Sequence, residues 1–164
     1  MKGNYSSMSV ANYIVNSAID KEKPVSNLKL QKLLYYVQAA SLVENNVPMF
    51  DDDISAWKYG PVVETVYHAF KHFVGAPIDE CNSANIEYLD DTDSVDELIS
   101  GIDKKMIDKV VKSYEEYAAL QMVRKTHEEE PWQKAYYNNI DYIDNVDIEK
   151  FYSEHKDKIY GKHN

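Results

Sequence analysis

The sequence predicts a mainly α fold: a compact single domain built around one central buried helix at about residues 26–45, with room for a small two-stranded β element. Three observations predict it. Apolar residues recur at helical spacing along most of the chain. One of the helical segments is apolar on two opposite sides, so it must lie between other elements. A length of 164 residues, with 44% hydrophobic and 12% aromatic content, matches one globular domain with a proper core. The domain is expected to span 1–164, with its core over about 8–155.

The first helical stretch is "SVANYIVNSAID" (9–20), which places Val10, Tyr13, Ile14 and Ala18 together, with Ser9 as the proposed N-cap. In "SNLKLQKLLYYVQAASLVEN" (26–45), capped by Ser26, one stripe carries Leu28, Tyr35, Ala39 and Leu42. The other carries Leu30, Leu33, Leu34, Val37 and Ala40. "NNVPMFDDD" (45–53) reads as a loop and "ISAWKYGP" (54–61) as a short extended piece ending at Gly60. Pro61 then suits the first position of a helix, because its missing N–H is not needed there. That helix, "PVVETVYHAFKHFVG" (61–75), gathers Val62, Val63, Val66, Tyr67, Phe70 and Phe73 on one face and is closed by Gly75.

Between 76 and 94 only "NIEYL" alternates, and it is a candidate strand partner for 54–58. Ser94 and Glu97 form a capping box for a short helix ending at Gly101. A further helix over 103–118 buries Met106, Val110, Val111, Tyr114 and Tyr117. The remainder predicts a helical piece at 120–124, a helix from Pro131, and a terminal helix across 147–159 with Ile148, Phe151, Tyr152 and Ile159 inward.

Charge narrows the function. The formal net charge of −10 opposes duplex nucleic acid as a partner, since Lys and Arg supply most of the affinity for phosphates; a basic partner fits better. A local lysine patch at Lys104, Lys105, Lys109 and Lys112 is the one feature that would allow DNA contact. The single cysteine, Cys81, excludes an internal disulfide and points to a reducing compartment. With no signal-peptide core and no apolar run of membrane length, a soluble cytoplasmic protein is expected. The fourteen tyrosines suit half-buried positions and contact surfaces.

Chemistry is sparse. "HEEEPW" (127–132) departs from the zinc motif H-E-x-x-H, because Pro131 stands where the second histidine belongs. It reads instead as a turn over 126–130, with Pro131 opening a helix and Trp132 anchoring it. Glu64, His68 and His72 share a helix face at four-residue spacing, which leaves a metal-dependent hydrolase as a weak alternative. The acidic runs Asp51–Asp53 and 90–97 lack the glycine and terminal glutamate of a calcium loop. No nucleophile elbow, phosphate loop or dinucleotide fingerprint is present, so neither catalytic residue, cofactor nor metal is expected. Trp57 and Tyr59, beside a tight turn, are the candidate recognition surface, with core packing expected to account for at least one of the two rings.

Three blocks, "LKLQKLLYYVQA" (28–39), "ISAWKYGPVVETVY" (54–67) and "KTHEEEPWQKAY" (125–136), together resemble the Panacea antitoxin domain of SocA-like and GepA-like phage-associated proteins. The resemblance follows their order and spacing and covers roughly 8–155. It implies a helical, non-enzymatic domain that neutralises a protein toxin encoded beside it by direct binding, in a type II toxin–antitoxin pair. Family members face unrelated toxins and are frequent in prophages and mobile elements; one branch delivers its toxin to a cytoplasmic protease. The shared positions are Leu30, Lys32, Leu33, Tyr35, Trp57, Tyr59, Gly60, Pro61, Val62, Thr126, His127, Pro131 and Trp132. Ten of these are carried over as candidate binding residues: Lys32, Tyr35, Trp57, Tyr59, Gly60, Pro61, Thr126, His127, Pro131 and Trp132. Most of the shared set is expected to hold the common scaffold. Glu64 stands where the family often has proline, and 76–94 has no family counterpart, which makes that loop the expected seat of toxin choice.

Overall fold

Every residue from Leu30 to Leu42 is buried, and that one fact organises the fold. The computed structural model describes residues 2–79 and 99–161. Among them are seven α-helices and a three-stranded antiparallel sheet. The chain runs α1 (Ser7–Asp20), α2 (Asn27–Asn45), β1 (Ile54–Trp57), β2 (Gly60–Val62), α3 (Glu64–Phe70), α4 (Gly101–Ser113), α5 (Ala119–His127), α6 (Glu130–Tyr137), β3 (Tyr142–Ile143) and α7 (Asn145–Glu154). Single 3₁₀ turns follow α3 (Lys71–Phe73) and α7 (Lys156–Ile159).

The predicted central helix is α2, capped as expected by Ser26, whose side chain accepts from the Lys29 N–H. It packs against α1, α3, α4, α5, α7 and β2. The two apolar stripes explain only part of its burial, because Gln31, Lys32, Gln38 and Ser41 between them are also fully enclosed. Each satisfies backbone that would otherwise be stranded. Gln38 takes the N–H groups of Met49 and Phe50 on Oε1 and donates to the Phe50 carbonyl, and Ser41 donates to Val47 O. These bonds pin the predicted 45–53 loop to the helix. Lys29 reaches across to donate to the carbonyls of Tyr114 and Tyr117 just beyond α4, at 2.8 and 2.7 Å.

Several boundaries differ from expectation for local reasons. The α1 cap is Ser6, which accepts from Ser9 N–H, so Ser9 lies inside the helix. Pro61 does not open α3. It sits in β2, opposite Ala56 in a hairpin whose register pairs Trp57 with Gly60, and α3 starts at Glu64 after Val63. Proline's fixed φ fits an edge strand as well as a helix start, and β2 is the edge of a sheet ordered β2-β1-β3. The third strand comes from 142–143, paired with Ile54 and Ser55. The proposed pairing with "NIEYL" and the capping box at Ser94 and Glu97 lie outside the described residues. Gly101 opens α4 rather than closing a helix before it: Ser100 is the N-cap and accepts from Asp103 N–H. That helix ends at Ser113, short of the predicted 118, and the terminal helix breaks at Glu154 into a 3₁₀ turn.

Candidate functional site

The three sequence blocks meet at the β1–β2 hairpin, and they hold it by its backbone. From α2, Lys32 Nζ donates to the Pro61 carbonyl at 3.1 Å, and Gln31 Oε1 accepts from the Val63 N–H at 2.9 Å. At the start of α6, Trp132 Nε1 donates to the Trp57 carbonyl at 2.8 Å. At the end of α5, the His127 ring meets the Lys58 carbonyl at 3.0 Å; a carbonyl only accepts, so Nε2 carries the proton. His127 and Trp132 stack with ring centres 4.1 Å apart, and Trp132 continues the stack onto Tyr136 at 4.6 Å.

Gly60 explains why the hairpin closes so tightly. Its φ of +105° disfavours any other residue, and an added Cβ would lie 2.8 Å from both Lys32 Cε and Thr126 Oγ1. Thr126 is buried inside α5, where its hydroxyl donates to Val123 O. The expected turn over 126–130 is therefore shorter: α5 runs through His127, α6 begins at Glu130, and Pro131 occupies its first turn. Trp132 is buried as expected of an anchor.

Lys32 is fully enclosed, and burial pushes its ammonium down to about 7. Burial also lowers His127; the bond to Lys58 O opposes that shift and the charge of Lys32 adds to it.

A second buried network sits behind the hairpin. The Glu129 carboxylate accepts from the hydroxyls of Tyr36 and Tyr152 at 2.6 and 2.7 Å, and from Lys125 Nζ at 2.8 Å. Lys125 lies 4.2 Å from the centre of the Tyr36 ring. The Tyr35 hydroxyl is 3.2 Å from that of Tyr152. Burial raises all three tyrosines. Local sequence offers Glu129 one partner, Lys125 four residues earlier, but hides the two tyrosines, which lie 93 and 23 residues away.

Of the ten candidate binding positions, Tyr59 alone is a large side chain turned to solvent, at 58% exposure. Trp57 is half-buried edge-on against Tyr67 at 5.0 Å, so one ring of the pair packs inward and the other outward. Lys32, Tyr35, Gly60, Pro61, Thr126, Pro131 and Trp132 are buried. The turn that carries Trp57 and Tyr59 is a hairpin tip and not a helix N-terminus.

Beside this tip opens a groove of about 580 Å³, walled by Trp57, Tyr59, Tyr67 and Val74 and floored by Asn27 and Gln31. Asn27 donates to Tyr67 O and accepts from Gln31, so both floor amides are engaged. Sequence reasoning missed Gln31, Asn27 and Val74; the first had a legible signal, a glutamine within the doubly apolar helix.

The Glu64, His68 and His72 row does not converge. Glu64 accepts from Ser55 Oγ at 2.7 Å, His68 lies against Tyr67, and His72 lies over Phe73 at 4.3 Å. Among the described residues no group of three acids, histidines or cysteines could hold a metal ion.

The family "Antitoxin SocA-like, Panacea domain" matches residues 30–133, well over half of the chain. The chain belongs to this family. A 61-residue stretch is also 43% identical to "Antitoxin SocA" of Caulobacter vibrioides (strain NA1000 / CB15N), covering 37% of this chain and 32% of that protein. No solved structure matches. The Panacea match begins at Leu30 and ends at Gln133, so it encloses the whole hairpin clamp, from Lys32 to Trp132. Within this Panacea domain, the residues that carry the resemblance clasp one another.

Proposed function

We propose that this protein is the antitoxin of a type II toxin–antitoxin pair and neutralises a cognate protein toxin, encoded by a neighbouring gene, through direct binding in the cytoplasm. The observation that carries the reading is the Panacea match over 30–133. The geometry supports it: family positions turned inward form a rigid frame, and aromatic and aliphatic side chains at Tyr59, Tyr137, Ile140 and Tyr142 stand exposed around it. Such side chains supply contact energy at protein interfaces. No described helix is long and apolar enough to cross a membrane. Co-expression tests the proposal. An adjacent reading frame should arrest growth alone and be harmless with this protein; absence of any such gene sinks it.

A second reading, an adaptor that delivers the toxin to a cytoplasmic protease, draws on the presence of two surfaces of opposite chemistry. One is the groove at the hairpin tip, with Lys58 and Lys71 on its lining. The other lies around Ile140 and Tyr142, bordered by Asp51, Asp52, Asp53 and Asp144. An adaptor needs two docking sites. Toxin half-life discriminates, because masking alone leaves decay unchanged and delivery shortens it.

A further inference from the structure

We propose that the groove between the hairpin tip, the start of α2 and the end of α3 is the docking site for a segment of the partner protein that combines an apolar anchor with carboxylates. This inference rests on the antitoxin reading and specifies which part of the partner is held.

Three observations lead there. First, the groove is apolar and preformed. Its volume of about 580 Å³ accepts one or two large side chains, and its walls are Trp57, Tyr59, Tyr67 and Val74. The hairpin wall is fixed by His127 and Trp132 through the Lys58 and Trp57 carbonyls, and the α3 wall by Asn27 through the Tyr67 carbonyl. A ligand entering such a site does not bear the cost of ordering it.

Second, the groove's charge is opposite to that of the molecule. On a chain with a net charge of −10, its lining among the described residues contains Lys58 and Lys71 and no acid. Both lysines are exposed, and neither forms an ion pair among the described residues. On a surface of net negative charge, these two ammonium groups beside an apolar groove favour a carboxylate-bearing segment; the other lysine cluster, on α4, borders no such groove among the described residues.

Third, the rim carries a strained apolar residue. Val74 is 84% exposed with φ at +57°. A β-branched side chain in that region is disfavoured, and glycine is available one residue later at Gly75. The exposure of Val74 leaves it no buried apolar contact among the described residues to offset that cost. Contact with a partner's apolar side chain gives it a use.

The test pans a random-peptide phage library on the full-length protein and on Tyr59→Ala, Lys58→Glu/Lys71→Glu and Val74→Gly. These side chains are exposed, and melting curves confirm that each variant folds. Enriched sequences should pair aromatic or aliphatic residues with Asp or Glu. A synthetic peptide of the consensus should bind at least about tenfold more weakly to the charge-reversed variant and to Tyr59→Ala. Val74→Gly should weaken binding without lowering Tm, a combination that a purely structural valine would not produce.

Basic consensus sequences, no enrichment, or equal binding by the variants would overturn the proposal. So would wild-type self-association lost in the same variants, which would make the occupant a second copy of the chain. Co-expression with the neighbouring toxin separates the two readings. Neutralisation by wild type and by the charge-reversed variant alike leaves the antitoxin reading standing and removes the groove. Peptide binding without any neutralised toxin removes the antitoxin reading and with it the identity of the partner.

Discussion

Lys32 and Glu129 are the most deeply buried lysine and carboxylate among the described residues, and they respond to perturbation in different ways. The Lys32 ammonium has a carbonyl for its partner, and its pKa in the folded protein is about 7 against 10.5 for the free side chain. Between those values the unfolded chain binds the extra proton, so stability rises with pH across that window and the penalty is complete below about pH 7. The buried tyrosines act oppositely. Their folded values lie above the usual 10, so the unfolded chain loses protons first and stability falls above about pH 10. Urea titrations from pH 7 to 9 should therefore show increasing stability, on the order of a few kcal/mol in total, and Lys32→Met should flatten the rise. An unchanged slope in Lys32→Met would place the titrating group elsewhere. Glu129→Ala should cost about 3 kcal/mol, because it removes the buried carboxylate shared by Lys125 and the Tyr36 and Tyr152 hydroxyls, leaving Lys125 only the Lys158 carbonyl and Tyr152 only Tyr35. Denaturant midpoints measure it, and a loss below about 1 kcal/mol would mean that water replaces the carboxylate.

The β1–β2 hairpin is the element that sequence reasoning placed least well. Its lesson is one of range. Helix α2 was legible in full and its double stripe correctly forecast enclosure; α3 and α4 were legible as helices but are shorter than their predicted stripes, since Val62, Val63 and Phe73 lie outside α3 and Tyr114 and Tyr117 beyond α4. Strand β2 was not, since Gly-Pro-Val fits either a helix start or an edge strand, and the strand that completes the sheet, β3, lies about eighty residues further on. The three motif blocks were legible as a set. Their mutual grip was not, because it runs from side chains to carbonyls that local sequence does not reveal. Lys32, Trp57, His127 and Trp132 converge as one clamp, whereas Tyr35 joins the Glu129 network behind it. Gly60 is the most exacting position in the hairpin. Gly60→Ala should lower Tm by about 4–10 °C, through positive φ and contact with Lys32 and Thr126. Calorimetry decides it, and an unaltered Tm would mean that the tip relaxes freely. Ser100→Ala should cost about 1 kcal/mol by uncapping α4, measured by denaturant titration.

At the scale of the whole molecule, α2 touches most of the other elements and buries an unbroken run from Leu30 to Leu42. No partial unfolding can release its amides while leaving the rest intact. Hydrogen exchange should therefore find the middle of α2 the most protected segment, opening only with global unfolding; faster exchange there than in α4 would contradict a single cooperative unit. The clamp around the hairpin has a further consequence for anyone rebuilding this protein. Lys58 and Tyr59 are held by main-chain carbonyl bonds at Trp57, Lys58 and Pro61, while their own side chains point into solvent. Positions 58 and 59 can accordingly be randomised without unseating the frame, which makes the hairpin a ready-made scaffold for selecting binders to new targets.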